Sequence, residues 1–308
     1  MYDAALYQII GMNARHSRTL ESMRPRALRD LKTRLFSLVT SGRSALCWRG
    51  GKDPWFEIPS PRLNETADPE VPTRMNGTTI YPPPAPDTQP PYLHPPYAST
   101  PKRAPTKPLV LLPHTLTETT GPVFGHGIVK PHDADLTKQY PGEPLGERII
   151  LTGRVLDGND RPVRNTLIEI WQANAAGRYR HDNDKHDAPL DPNFAGCGRT
   201  FTDDDGHYRF VTVKPGAYPW KNHPNAWRPA HIHFSLFGPA FLTRLVTQMY
   251  FPGDPLLPFD PIFNSVSDEE ARRLLISAFD WETTRPEYAL GYRFDIALRG
   301  RDATPMEK

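Results

Sequence analysis

Arg148-Ile-Ile-Leu-Thr-Gly-Arg-Val-Leu156 and Thr166-Leu-Ile-Glu-Ile-Trp171, on either side of the turn Asp157-Gly-Asn-Asp160, form the stretch whose reading decides the fold. Branched and bulky apolar residues alternate with polar ones. The four residues between them are turn chemistry, because glycine and short Asx side chains reach backbone conformations that other residues avoid. The pattern repeats downstream. Asp203-Asp-Asp-Gly206 separates strands expected at 199–202 and 208–213, and further strands are expected at 230–237, 244–251 and 290–299. Many short strands between turns predict a mainly β chain, a β-sandwich with long loops and few helices. One helix is expected over 268–279, where Ser267 and Glu270 make a capping box.

Two phenols and two imidazoles fall in this strand-rich half: Tyr179, Tyr218, His231 and His233. Phenolate oxygen is a hard anionic donor and imidazole a borderline one, so a site combining them suits ferric iron better than zinc or copper. In Arg228-Pro-Ala-His231-Ile-His233-Phe-Ser-Leu-Phe237, period-2 geometry puts both imidazoles on one face and Ile232, Phe234 and Leu236 on the other. On the residues alone, a His-x-His pair is more often two half-buried histidines satisfied by hydrogen bonds than a metal site. A tyrosine after a glycine-containing turn, as in Gly177-Arg-Tyr179 and Gly216-Ala-Tyr218, is more often an amphipathic rim residue. Both tyrosines sit at expected loop or turn positions, where ligands usually originate, and only the whole set favours iron.

Composition narrows the class. Of 36 prolines in 308 residues, 11 fall within residues 82–108, which bars that stretch from helix interiors and central strands. A net charge of +2 makes no case for nucleic acid. No run of about 18 apolar residues is present to span a membrane. Cys47 and Cys197 lie in segments of different character and form no spacing pattern, so a soluble, cytoplasmic protein without a disulfide framework is expected. Residues 1–50 carry nine Lys and Arg against three acids, and Leu28, Leu31, Leu35 and Leu38 make one stripe of a short helix after Pro25, a pattern that imitates a transit peptide. The expected organisation is an N-terminal extension over 1–74, disordered or an upstream misreading with Met75 as the natural start, a Pro-rich arm over 75–108, and the sandwich domain over 109–303.

The run from Leu151-Thr-Gly153 through Glu169-Ile-Trp171 to Gly177-Arg-Tyr179 resembles the signature of the intradiol ring-cleavage dioxygenases. Tyr218-Pro-Trp220, followed at matching spacing by Trp227-Arg-Pro-Ala-His231-Ile-His233-Phe, is similar to the iron-bearing β chains of that family's protocatechuate-cleaving branch. The likeness runs from about Tyr97 to about Gly300. It implies the family's β-sandwich and a non-haem Fe(III) held by Tyr179, Tyr218, His231 and His233. The substrates it implies are an aromatic diol, protocatechuate, and dioxygen, the product being 3-carboxy-cis,cis-muconate. Sibling substrates, hydroxyquinol or a sulfonated or halogenated catechol, stay open.

The resemblance also implies roles. The tyrosine matching Tyr218 leaves when the diol chelates, with His233 opposite it, while Tyr179 and His231 stay. The leaving phenolate and a hydroxide each take one diol proton, so no net charge builds in a poorly solvated pocket. Arg228, a surface ion pair or an active-site group on the residues alone, stabilises negative charge developing on the substrate; three residues before His231, it must reach the site from the strand's irregular start. Gln248, a solvated strand residue or an active-site one, matches a polar position of the site. Trp171, Trp220 and Ile262 are expected to shape the pocket: the family pattern moves Trp220 and Ile262 towards substrate contact, whereas on the residues alone Trp171 reads better as core. Tyr97 matches a tyrosine near the substrate carboxylate, and Arg103 adds positive charge beside it.

Catechol-cleaving relatives carry a helical dimerisation segment before the sandwich, whereas residues 51–108 lack sustained helical periodicity. The expected partner is therefore a homologous α chain in a hetero-oligomer with the active site at its interface. Two other classes stay in view. A cupin-type Fe(II) oxygenase needs a glutamate three to four residues after its His-x-His, but Leu236, Phe237 and Gly238 stand here. A non-catalytic sandwich subunit or transthyretin-like carrier would not need all four donors.

Overall fold

The computed structural model describes residues 74–75, 78–79, 84–110, 127–222, 224–225, 227–237, 244–298 and 300–307. The expectations for residues 1–73, including the leucine stripe and Cys47, lie outside them, as do residues 76–77 and 80–83 of the arm. Strands β1 (Arg74–Met75) and β2 (Thr78–Thr79) form a small antiparallel ladder. Then come β3 (Arg148–Leu156), β4 (Leu167–Trp171), β5 (Cys197–Phe201), β6 (His207–Val213), β7 (Tyr218–Pro219), β8 (Trp227–Arg228), β9 (His231–Phe237) and β10 (Arg244–Tyr250). Helix α1 (Glu269–Arg273), β11 (Ala278–Phe279), β12 (Leu290–Arg293) and β13 (Ile296–Ala297) complete the order.

Two larger sheets result. One is antiparallel, in the order β10-β9-β4-β5. In the other, β3 pairs antiparallel with β6 and parallel with β12 and β13, and β11 pairs with β12. One core cluster takes Ile149, Leu151 and Phe210 from the second sheet and Ile170, Ile232 and Phe234 from the first, so the sheets pack as a sandwich. Each such side chain contributes about 1.5–3 kcal/mol through burial.

Both predicted turns reverse the chain, and both are corners between sheets. Val163 N–H donates to the Val155 carbonyl across the first, yet β3 and β4 belong to different sheets; β5 and β6 diverge likewise after Asp203. The strand expected over 290–299 is broken into β12 and β13, with Arg299 outside the described residues.

The helix expected over 268–279 is corrected most. It spans five residues and is capped by Asp268, whose carboxylate accepts from Ala271 N–H at 2.7 Å; Ser267 is not the cap. Strand pairing cuts it short: Tyr250 N–H donates to the Leu275 carbonyl, Ser277 N–H to the Tyr250 carbonyl, and Ala278–Phe279 pair with β12. Among the described residues no helix is long and apolar enough to cross a membrane.

Candidate metal centre

Strand register assembles half of the site. On β9, His233 faces Trp171 of β4 on one side and Gln248 of β10 on the other, while His231 faces Tyr250. Cross-strand partners share a face, so these residues project away from Ile170, Ile232, Phe234 and Met249, which enter the core. Trp171, read as core from sequence, is half-buried on the site face, its indole stacked on His233 at 4.8 Å between centroids and 5° between planes.

The tyrosines come from two loops held in contact by glycine. Asn174 organises the first: its Oδ1 accepts from Ala176 and Arg178 N–H, and its carbonyl accepts from Gly177 N–H and from Gly216 N–H of the second loop. A Cβ on Gly177, which has φ +76°, would lie 2.1 Å from the Ala217 carbonyl oxygen, and one on Gly216 would lie 2.4 Å from that of Ala175. Only glycine allows this approach. Tyr179 lies in its loop as expected, with its N–H on Asp184 Oδ2 at 2.8 Å. Tyr218 does not; it opens β7 and is the cross-strand partner of Arg228 on β8. Arg228 thus reaches the site from a short ribbon of its own.

All four predicted donors converge and are buried. The Tyr218 hydroxyl lies 3.3 Å from His231 Nε2, the two tyrosine rings meet edge-on at 5.3 Å, and the imidazoles lie 4.9 Å apart. His231 Nδ1 sits 2.7 Å from the Pro229 carbonyl, which makes Nδ1 the protonated nitrogen and leaves Nε2 with its lone pair. Burial, then Arg228, then His233 hold the His231 pKa well below the usual imidazole value. Burial raises both phenols, Tyr179 well above its usual value with Tyr218 adding to it, whereas for Tyr218 the Arg228 guanidinium counters burial.

Arg228 is 2% exposed, so of its two readings on the residues alone the surface ion pair falls. It donates to Gln248 Oε1 at 2.6 Å, Asp260 Oδ2 at 2.7 Å and the Tyr250 hydroxyl at 3.1 Å, with its other terminal nitrogen 3.1 Å from His231 Nε2. Burial opposes its charge, but Asp260 first, then Tyr218 and Tyr250, hold its pKa well above the usual guanidinium value. Gln248 is buried too, and its Nε2 meets no acceptor in hydrogen-bond geometry. Sequence reasoning missed Asp260 and Tyr250. Tyr250 had a signal, two residues after Gln248 on one strand face; Asp260, in a loop after β10, had none.

Three of the four substrate-side expectations fall along one line of contacts. The exposed Arg103 guanidinium lies 4.6 Å over the buried Tyr97 ring, Tyr97 meets Trp220 edge-on at 5.3 Å, and Arg228 lies 5.2 Å over Trp220. Ile262 is not on this line. It borders a cavity shared with Tyr97, Gln248, Tyr250 and Glu307, which none of the four donors lines. Glu307, also missed, brings Oε2 to 3.4 Å from His233 Nδ1. Burial works against its charge, yet His233, Gln248 and Arg228 hold its pKa at about 2.

The donors fit a metal by a direct criterion. The Tyr179 hydroxyl and His233 Nε2 are buried without a hydrogen-bond partner, a cost of about 1–3 kcal/mol each if nothing meets them. Phenol and imidazole suit a ferric ion, whereas zinc sites draw on thiolate, imidazole and carboxylate. Among the described residues no three His, Cys, Asp or Glu side chains could hold a metal, so Glu307 does not complete a His-His-carboxylate site.

The chain matches the family described as "Dioxygenase" over residues 119–300, and that described as "Protocatechuate 3,4-dioxygenase beta subunit N terminal" over 81–115. It is 61% identical over 236 residues to a protocatechuate 3,4-dioxygenase beta chain of Burkholderia cepacia, covering 76% of this chain and 100% of that one. Protocatechuate 3,4-dioxygenase alpha chains are more distant. That of Pseudomonas putida is 31% identical over 64% of this chain and 97% of its own, and that of Burkholderia cepacia 30% over 64% and 98%. Matched along its strand-rich part and along the full length of a β chain, the protein belongs to the intradiol ring-cleavage dioxygenase family.

Proposed function

We propose that this chain is the iron-bearing subunit of a protocatechuate 3,4-dioxygenase, cleaving protocatechuate with dioxygen to 3-carboxy-cis,cis-muconate, and that it assembles in the cytoplasm with a homologous α chain. The observation that carries the reading is the convergence of Tyr179, Tyr218, His231 and His233 in a chain 61% identical to a β chain of that enzyme. These four residues would hold a non-haem Fe(III). Bound there, the iron would supply a Lewis-acid centre for both diol oxygens, through which the ring is activated towards dioxygen.

The chain's own groups supply the rest. Tyr218, 3.3 Å from His231 and facing Arg228, would as a metal-bound phenolate be placed to take a diol proton at its phenolic oxygen. Arg228 carries a fixed positive charge in a dry environment, where it stabilises negative charge developing on the substrate without reorganising. Gln248 has its Oε1 occupied by Arg228 and Tyr250, leaving the amide Nε2 as a donor. Trp220 supplies an apolar wall between Tyr97 and Arg228, and Tyr97 with Arg103 offers the hydroxyl and charge that a ring carboxylate needs. Purified with the α chain, the protein should show the broad visible band of tyrosinate-to-ferric charge transfer and turn over protocatechuate in preference to catechol and hydroxyquinol. A colourless, iron-loaded preparation would sink the reading.

A further inference from the structure

We propose that Glu307 is the positioning residue of His233: its carboxylate receives the Nδ1–H and so turns Nε2, with its lone pair, towards the metal. The inference rests on reading the four donors as a ferric site. The Trp171 stack sets the plane of the His233 ring, but a stacked ring can still flip by 180°, exchanging nitrogen for carbon on the ligand side. Something must select one flip and one tautomer. For His231 the Pro229 carbonyl does so at 2.7 Å. For His233, Nδ1 is buried with no partner in hydrogen-bond geometry, and the group closest to providing one is Glu307 Oε2 at 3.4 Å.

The carboxylate is held there by its own segment. Glu307 N–H donates to the Val246 carbonyl and Thr247 Oγ1 to the Pro305 carbonyl, fixing the segment along β10. From the Pro-rich arm, Gln89 accepts from Met306 N–H and donates to the Ala303 carbonyl. The two imidazoles thus differ in kind: a neutral carbonyl backs His231 and a carboxylate backs His233.

The test measures iron loss to a chelator, and the visible band, in the full chain purified with its α partner. Glu307→Ala should lower iron affinity about 10- to 100-fold, the usual effect of removing a ligand's outer partner, and lose iron to the chelator faster accordingly. Glu307→Gln, which keeps an acceptor oxygen without the charge, should fall between it and the unaltered chain. Thr247→Val loosens the segment but keeps the carboxylate, and should retain iron. If Thr247→Val releases iron as fast as Glu307→Ala, the segment's docking and not the carboxylate matters, and the proposal is overturned. It also fails if the unaltered chain is coloured and Glu307→Ala holds iron equally well. A chain that binds no ferric iron at all overturns the four-donor reading with it.

Discussion

The two halves of the donor cluster stand in opposite surroundings. Tyr218 and His231 sit 3.3 Å apart beside a buried guanidinium, with Arg228 paired across the ribbon from Tyr218 and 3.1 Å from His231 Nε2. Tyr179 and His233 sit against Trp171 and Tyr218, the Tyr179 hydroxyl and the His233 Nε2 unpartnered. Burial raises both phenols, but only for Tyr218 is the nearby cation the next largest influence. The difference teaches how two identical side chains can be fitted for different work: a phenol beside a fixed cation gives up and regains its proton at lower cost than one whose nearest neighbours are aromatic rings and a second phenol.

The sharpest way to break this comparison is to remove each hydroxyl in turn. Tyr179→Phe should lose most of its iron and its visible band. Tyr218→Phe should keep both and instead chelate substrate on the order of 10²-fold more slowly, having lost the internal base. Iron content, spectrum and stopped-flow chelation measure this, and equal iron loss in both variants would end the division of roles.

The charged half can be tested for its dependence on Asp260. Asp260→Asn leaves Arg228 buried without its counter-ion and should cost about 3–5 kcal/mol in urea unfolding. The double change Arg228→Met with Asp260→Leu should recover most of that stability while abolishing turnover. A loss below about 1 kcal/mol in the single variant, the scale of an exposed pair, would show that water reaches the site.

A smaller effect is expected where the two halves are joined. Gly216→Ala puts a methyl group 2.4 Å from the Ala175 carbonyl oxygen and should cost about 1–3 kcal/mol as the loops part. Both tyrosines should move together, shifting the visible band. A variant with unchanged stability and spectrum would mean that the loops are not coupled through this contact.

Much of this site was legible in the residues and some of it was not. His231 and His233 share a face because side-chain alternation is built into any strand, and the glycines beside both tyrosines mark turns whatever the rest of the chain does. Tyr250 follows from Gln248 by the same alternation and was overlooked. Asp260 and Glu307 carry no such local mark. Asp260 lies 32 residues from Arg228, and nothing near either in sequence connects them.

By itself, then, the sequence placed most of the strands and turns, since these depend on periodicity and residue chemistry that neighbouring residues carry, and the resemblance of its motifs pointed to the family and to the four candidate donors. Tertiary structure decided the rest. It put two predicted turns at corners between sheets, cut a predicted helix to five residues in favour of strand pairing, and placed Tyr218 and Arg228 on one ribbon. It also chose which carboxylates meet Arg228 and His233. The reason is physical: local preferences differ by about 1 kcal/mol per residue, and burying one core side chain outweighs them, so the pairing that completes the core prevails.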